Sequence, residues 1–190
     1  MNIFIINAGC SHHGKGGTLN GSYVKLAFEV LQKKGHNVYT TKVDEPYEVD
    51  KEQDKILDAD IILLQTPGWW MSTPWQYKKY EDFVFASNAL LYGDGRSSKN
   101  PDLKYGSGGK CLNKRYMISS TWNAPLEAFN DPSQFFGGVG IDGVFISVHK
   151  AFQFLGMTQL PTFMANDVIK NPQHEKDFQR FREHLEKHIK

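Results

Sequence analysis

The sequence predicts a three-layer α/β domain with a mainly parallel sheet. Strand-like and helix-like patterns alternate about five times along the 190 residues, an order typical of a sheet covered by helices on both faces. The first strand-like run, Asn2–Asn7, is almost continuously apolar, which indicates a strand covered on both faces. Hydrophobic residues make up 40% of the chain, which is ordinary for a globular protein, so we expect residues 1–190 to form one domain.

The elements of the first half are bounded by glycine and proline. The first helix ends at Gly35, in the position that glycine favours after a helix. The third helix is expected to begin at Thr73 and Pro74, with the threonine hydroxyl as its cap and the proline in its first turn. The predicted order is a strand over Asn2–Asn7, a helix with Leu19, Tyr23, Leu26 and Val30 on one face, a strand over 36–43, a helix over 50–57, a strand over 59–67, and a helix with Tyr77, Tyr80 and Val84 on one face.

The second half begins with a long, polar, glycine-rich segment from about residue 88 to 113. A fourth strand is predicted over 114–121 and a helix over 142–155. A fifth strand over 160–167 is expected at the edge of the sheet, because Pro161 cannot donate a backbone hydrogen bond. The last helix is expected to begin at Asn171 and Pro172 and to carry Phe178, Phe181, Leu185 and Ile189 on one face.

Charge and cysteine content restrict the classes of function. The formal net charge of +1 provides no basic excess to neutralise phosphates, so nucleic acid is not the expected partner. The two cysteines, Cys10 and Cys111, have no metal-ligand spacing and indicate a reducing compartment without disulfides. The first residues lack the pattern of a signal peptide, and no apolar run approaches the ~18 residues of a membrane span. We therefore expect a cytoplasmic protein without a membrane segment.

Three loops should form the functional site, because ligands of such folds bind at the carboxyl ends of strands, where the strand order reverses. The first loop, "HHGKGGTLNGS", combines small residues, a lysine and a helix start, a mixture suited to an anion. It matches neither of the two glycine-rich phosphate motifs. A flexible turn with Thr18 as a plain helix cap is the alternative interpretation.

The other two loops carry aromatic and polar side chains. Gly68 and two tryptophans follow the third strand, where flat apolar surface is suited to a ring. The fourth strand ends in "STWNAP", which offers an aromatic face with fixed donors and acceptors. The alternatives are a core or subunit interface for the tryptophans and a capped turn for the last loop. Together the three loops predict a site for a flat, phosphorylated cofactor that supplies the chemistry itself.

Three stretches resemble the flavodoxin-like NAD(P)H:quinone reductases. They are "PGWWMSTPWQYKKYEDFVF", "KYGSGGKCLNKRYMISSTWNAP" and "LPTFMANDVIKNPQ", and the likeness extends through nearly the whole chain. The resemblance implies a flavodoxin-like three-layer α/β fold with a five-stranded parallel sheet. It also implies FAD, a homodimer, and two-electron reduction of quinones by NADPH or NADH. The length of the segment before the fourth strand favours FAD over FMN, since an added loop can cover the adenylate half.

The resemblance also assigns cofactor-binding residues by position. The first loop would hold the pyrophosphate and nearby groups, the second would line the isoalloxazine ring, and the third would bind its other edge, with one tyrosine of the long segment reaching the cofactor. These residues are Lys15, Gly16, Gly17, Thr18, Leu19, Asn20, Gly21 and Ser22; Gly68, Trp69, Trp70 and Met71; Thr121, Trp122, Asn123 and Ala124; and Tyr105.

The sequence departs from the family in one respect. Mammalian quinone reductases carry a tyrosine–histidine pair that stabilises the reduced flavin, and the corresponding region here, "GVGIDGVFISVHKAF", has no clear equivalent. His149 is the nearest candidate, but a packed or surface histidine is the preferred interpretation, so no catalytic acid or base is assigned. The expected mechanism is ping-pong hydride transfer, in which the nicotinamide leaves before the quinone binds.

Three other functions are compatible with the sequence. One is an FMN-dependent azo or nitro reductase of the same architecture. Another is a flavin-binding electron carrier or redox sensor that is not an enzyme. The last is a regulatory subunit that binds another protein through Trp69 and Trp70.

Overall fold

The computed structural model describes residues 1–11 and 16–190. Strands and helices alternate as predicted, and each strand pairs in parallel with its neighbours. The elements are β1 (Asn2–Asn7), α1 (Thr18–Lys33), β2 (Asn37–Lys42), α2 (Val49–Asp58), β3 (Ile61–Pro67), α3 (Trp75–Val84), β4 (Arg115–Thr121), α4 (Glu127–Asn130), α5 (Gly140–Val144), α6 (Ile146–Phe154), β5 (Thr158–Gln159), β6 (Phe163–Ala165) and α7 (His174–His188).

The strand order is β2-β1-β3-β4-β5, and β6 also pairs with β4. The chain moves outward from β1 to β2 and returns to the other side of β1 with β3, so the order reverses between β1 and β3. This is the doubly wound order in which the crevice beyond β1 and β3 receives the ligand. The predicted fold class is confirmed, with a fifth strand position that is divided in two.

The sheet separates two apolar layers, because successive side chains of a strand point to opposite faces. Ile3 and Ile5 of β1 pack with apolar residues of α1 and α7. Phe4 and Ile6 pack with apolar residues of α2, α3 and α6. The uninterrupted apolarity of β1 and β3 follows from this burial on both sides.

Two predicted boundaries are wrong by a few residues. Helix α3 begins at Trp75, and the residue at its N-cap is Pro74, which has no hydroxyl, so Thr73 is not the cap. Helix α7 begins at His174 after an N-cap at Gln173, later than expected from Asn171 and Pro172. The predicted fifth strand over 160–167 is also shorter than expected. Only β6 (Phe163–Ala165) lies within it, and β5 (Thr158–Gln159) precedes it. Pro161 lies between the two strands, and its carbonyl oxygen is 2.8 Å from Nε2 of His184.

The segment 88–113 is an excursion that pairs with itself. Its two arms are joined by backbone hydrogen bonds from Tyr92 to Gly108 (2.7 Å) and from Lys110 to Leu90 (2.9 Å). Gly109, near the end of the excursion, packs directly against the backbone at the end of α6. A Cβ at this glycine would lie 2.1 Å from the carbonyl carbon of Leu155. The excursion is therefore held at a fixed place beside α6.

Candidate functional site

The carboxyl ends of β1, β3 and β4 meet at one edge of the sheet. Asn7 at the end of β1 is in register with Gln65 of β3, and Pro67 at the end of β3 is in register with Thr121 of β4. Each of these strands is followed by one of the loops that the sequence analysis selected. The structure therefore brings the three predicted loops together.

The loop after β1 ends in two glycines that take backbone angles unusual for other residues. Gly16 has φ 103° and Gly17, the N-cap of α1, has φ 79°. A Cβ at position 17 would lie 3.4 Å from the carbonyl oxygen of Cys10, so Gly17 lies next to the backbone that follows β1. The first amides of a helix lack acceptors within it, and their dipole favours an anion. Thr18 is the first helical residue rather than the cap.

The remaining predicted residues of this loop differ in exposure. Thr18 and Ser22 are exposed, whereas Leu19 and Gly21 are partly buried. The Ser22 hydroxyl donates to the Thr18 carbonyl oxygen at 3.1 Å. Lys15 lies outside the described residues, so its predicted role stays a prediction.

Asn20 is buried, and its side chain ties the loop to the sheet. Its amide donates to Oδ1 of Asn7 (2.8 Å) and to the carbonyl oxygen of Gln65 (3.3 Å), while its Oδ1 accepts from Nε2 of Gln65 (2.9 Å). Oδ1 of Asn7 also accepts from the backbone of Gly9 at 2.9 Å. A Cβ at position 9 would lie only 2.6 Å from the Asn20 amide nitrogen. The three polar side chains therefore fix the start of the loop.

The Asn20→Ala variant should lose about 2 kcal/mol of unfolding free energy, because it removes three hydrogen bonds and leaves Nε2 of the buried Gln65 without its acceptor. The measurement is urea denaturation of the protein freed of bound ligand. Ser22→Ala is the matched control, since it removes one exposed hydrogen bond of the same helix. Equal stability of the two variants would contradict the role given to Asn20.

The loop after β3 is a tight hairpin turn. The backbones of Trp69 and Ser72 exchange two hydrogen bonds, at 2.7 and 2.9 Å. The two residues between them, Trp70 and Met71, have φ values of 44° and 65°. Positive φ at both central residues is the signature of a type I′ turn, which normally selects asparagine and glycine. A residue with a large side chain is strained in this backbone conformation, and strain of this kind is concentrated at ligand-binding sites.

The turn presents its side chains to solvent. Trp70 is 93% exposed and Met71 47% exposed, whereas Trp69 is partly buried. An indole with almost its whole surface in water is unusual for a residue next to a buried strand. The turn therefore offers a flat apolar surface at the site predicted for a ring.

Gly68 is required by the close approach of an indole. A Cβ at this position would lie 2.3 Å from two atoms of the Trp122 ring. The Gly68 amide also donates to the carbonyl oxygen of Thr121 at 2.9 Å, which continues the pairing of β3 with β4. The ring that approaches Gly68 is therefore one of the protein itself.

Trp122 belongs to an aromatic cluster beneath the site. It is 6% exposed, and its ring meets those of Phe129, Phe136 and Phe145 at centroid distances of 5.3 to 5.9 Å. The structure thus places Trp122 as the floor of the loop rather than as an open surface. Thr121 is buried beside it.

The rest of the β4 loop is held by the chain that follows β6. Oδ1 of Asn123 accepts hydrogen bonds from the amides of Ile169 and Lys170, at 3.2 and 3.1 Å. The carbonyl oxygen of Ala124 accepts from the amide of Asp167 at 2.9 Å. These bonds fix the position of the loop and use the Asn123 side-chain oxygen.

Three buried polar atoms near this edge have no hydrogen-bond partner within residues 1–11 and 16–190: Oγ of Ser120, Nε1 of Trp122 and Oε1 of Gln65. Buried polar groups of native proteins are nearly always paired, through protein, water or ligand. Together with the glycine-lined helix start and the exposed indole, these atoms fit a flat cofactor that has polar edges and phosphates.

Tyr105 lies apart from the three loops, at the excursion. It is 70% exposed and packs on Phe154 of α6, with ring centroids 5.4 Å apart, while Arg96 lies over its other side. Tyr105 lines a cavity that also reaches Ser72 and Thr73, which follow the strained turn. Its predicted contact with the cofactor stays a prediction.

His149 belongs to a hydrogen-bonded relay at the opposite end of β4, in which Tyr116 and His149 are buried and Asp142 is exposed. Its Nδ1 lies 3.0 Å from the Tyr116 hydroxyl, and its Nε2 lies 3.1 Å from Oδ1 of Asp142. Tyr116 precedes Thr121 by five residues of strand, which separates the relay from the loops by about 16 Å. His149 is buried, its tyrosine partner was not foreseen, and the preference for a packed over a catalytic histidine stays a prediction.

The hydrogen bond between His149 and Asp142 makes the unfolding free energy depend on pH. The hydrogen bond from His149 lowers the pKa of Asp142 below its ordinary value of 3.8. The stabilisation is therefore complete above that value and is lost as the pH falls through the lower pKa of the folded protein. Asp142→Asn should unfold more easily at neutral pH but lose less stability on acidification between about pH 5 and pH 3. Denaturation curves across this range measure it, with the exposed Asp54→Asn as control, and an unchanged acid dependence would contradict it.

The described part of the chain contains no group of three or more histidine, cysteine, aspartate or glutamate side chains placed to hold a metal ion. None of its helices is long and apolar enough to cross a membrane.

Comparison with known proteins identifies the family. Residues 1–189 match the sequence profile described as the flavodoxin-like fold. The chain is 48% identical to an uncharacterized protein of Schizosaccharomyces pombe, over 97% of this chain and 95% of that protein. It is 44% identical to the NADPH:quinone oxidoreductase MdaB of Haemophilus influenzae, over 98% of both chains.

A solved structure from Klebsiella pneumoniae, named provisionally as a quinone reductase, superposes with a TM-score of 0.81 at 22% identity. The match covers 98% of this chain and 84% of that one. At this identity the likeness shows the fold alone, whereas the profile and the two relatives show common descent. The chain therefore belongs to the flavodoxin-like family that includes the NADPH:quinone oxidoreductase MdaB.

Proposed function

We propose that the protein is an FAD-dependent NAD(P)H:quinone oxidoreductase that reduces quinones by two electrons. The observation that carries the proposal is the strained turn, which holds the exposed Trp70 at the carboxyl edge of β3, beside a glycine-lined helix start. Strain in a bulky residue persists where the surrounding structure holds it for a purpose. The relationship to an NADPH:quinone oxidoreductase supports the same function.

The proposal assigns the predicted residues to two kinds of role. Gly16, Gly17, Thr18, Leu19, Gly21 and Ser22, with Lys15, surround the phosphates, and Trp69, Trp70 and Met71 contact the ring system. Asn20, Gly68, Thr121, Trp122, Asn123 and Ala124 shape the loops that bind the cofactor, through the hydrogen bonds and packing described above. Tyr105 contributes from the excursion.

The protein's own part in the reaction is to bind, orient and exclude water. When bound, the flavin supplies a site that accepts a hydride from the nicotinamide and passes it to the quinone. The exposed indole of Trp70 provides a stacking surface that places either substrate parallel to the ring. Backbone amides of residues 121–124 stabilise negative charge at the polar edge. The nicotinamide and the quinone use the same space in turn, which gives ping-pong kinetics.

The test begins with the colour of the purified protein. We expect absorbance in the oxidised-flavin window of roughly 350–500 nm, release of FAD rather than FMN on extraction, and rapid NADPH oxidation with menadione. Parallel initial-rate lines at several quinone concentrations would identify ping-pong kinetics. A protein that stays colourless with excess FAD and FMN would overturn the proposal, and extracted FMN would favour the azo or nitro reductase instead.

The same proposal includes a cytoplasmic homodimer. The two cysteines are free and buried, as expected in a reducing compartment. Large exposed side chains such as Trp75 and Phe83 on α3 are typical of interfaces. Sedimentation at micromolar concentration tests the dimer, and a purely monomeric protein would contradict it.

A further inference from the structure

A cavity of about 720 Å³ lies between α3, α6 and the excursion 88–113. It is lined by Ser72 and Thr73, directly after the strained turn, and by residues along α3 as far as Phe85. The lining residues on this helix run from Lys78 to Phe85, over about 10 Å of helix axis. The cavity therefore starts at Ser72 and Thr73, two and three residues after Trp70 in the chain, and extends along α3 away from the strand tips.

The walls of the cavity are largely apolar. Phe85, Val148 and Leu155 form its buried surfaces, and Ala151 lies between them on α6. Tyr105 and Phe154 close one side with their packed rings. Such a lining gains free energy by covering hydrocarbon, by roughly 25 cal/mol per Å².

The charges at the rim disfavour a dinucleotide. Nζ of Lys78 is already paired with Glu81 (2.7 Å) and Asp82 (2.6 Å). Lys150 donates to Oε1 of Gln153 at 2.9 Å. The four charged residues Lys78, Lys150, Glu81 and Asp82 sum to zero, so phosphates would meet no excess of positive charge and two carboxylates. A neutral apolar chain meets neither penalty.

We propose that this cavity binds the hydrocarbon tail of a prenylated quinone whose head group occupies the site beside Trp70. The proposal rests on the proposed quinone reductase function and specifies its substrate class. It makes tailed quinones the preferred acceptors, since the tail buries apolar surface that a bare head group does not.

The test compares two quinones with the same head group, one without a tail and one carrying two isoprene units. For the native holoenzyme we expect kcat/KM to be about tenfold or more higher with the tailed quinone, because each buried CH₂ contributes about 0.8 kcal/mol. Ala86→Trp places an indole at the cavity wall and should abolish most of that ratio. Ala89→Trp is the matched control, because Ala89 is also exposed and follows α3 but does not line the cavity.

The outcomes separate this inference from the function on which it rests. If neither quinone is reduced, the proposed function fails and the inference fails with it. If both are reduced but the native ratio is near one, or if Ala86→Trp and Ala89→Trp keep the same ratio, the quinone reductase stands and the tail site is overturned. A higher KM for NADPH in Ala86→Trp with an unchanged ratio would also overturn it, by assigning the cavity to the dinucleotide.

Discussion

The Gly68→Ala variant is expected to lose about 3 kcal/mol of unfolding free energy and to lose its flavin. The added methyl carbon would lie 2.3 Å from two atoms of the Trp122 ring, which cannot withdraw because Phe129 and Phe145 pack around it. The backbone after β3 must then move, at a cost typical of severe overpacking. Chemical denaturation and titration with FAD measure the two effects.

Two controls isolate the contact with the indole. Gly21→Ala should be neutral or stabilising, because a Cβ at this helical position meets nothing within 4 Å. In a Trp122→Leu background, Gly68→Ala should cost much less than in the native protein, since the smaller side chain leaves room for the methyl group. Equal costs in the two backgrounds would exclude the contact as the cause.

Replacing Trp70 with asparagine and Met71 with glycine should stabilise the flavin-free protein and weaken flavin binding. Positive φ in each of these two bulky residues costs about 1 kcal/mol or more of strain energy. Asparagine and glycine, which a type I′ turn prefers, adopt the same backbone without that strain. We therefore expect a gain of about 2 kcal/mol in unfolding free energy. The lost stacking surface should weaken flavin binding about tenfold.

The measurement uses the apoprotein for stability, because bound flavin would add its own stabilisation. Met71→Gly alone separates the two contributions, since it relieves strain at one position and keeps the Trp70 indole. It should gain stability while holding flavin more tightly than the double variant does. A double variant that is less stable than the native apoprotein would show that the turn is not strained.

Much of the fold was predictable because burial dominates the sequence pattern. The apolar run of β1 indicated a strand covered on both faces, and Gly35 marked the end of α1 correctly. The errors lie where backbone geometry depends on distant groups. The fifth strand lies at the edge of the sheet, as expected from Pro161, but the contact of the Pro161 carbonyl with His184 of α7 is one that no local pattern encodes.

The site was predictable as a set of loops but not as a set of side-chain roles. Trp70 and Trp122 both follow buried strands, yet one is exposed and the other is packed under Gly68. A tryptophan in a type I′ turn contradicts the local preference, so its backbone angle had no sequence signal. The bonds among Asn7, Asn20 and Gln65 join residues up to 45 positions apart, although polar residues closing two apolar strands were a visible hint.

The division of the outermost strand position into β5 and β6 affects the tendency of the protein to aggregate at high concentration. An exposed edge offers unpaired amides and carbonyls on which a second chain can assemble, and long regular edges promote aggregation. Here the edge beside β4 consists of Thr158–Gln159 and Phe163–Ala165, with a proline between them that has no amide hydrogen. An incoming strand would find no continuous ladder there, so this border resists sheet-to-sheet growth during overexpression and concentration.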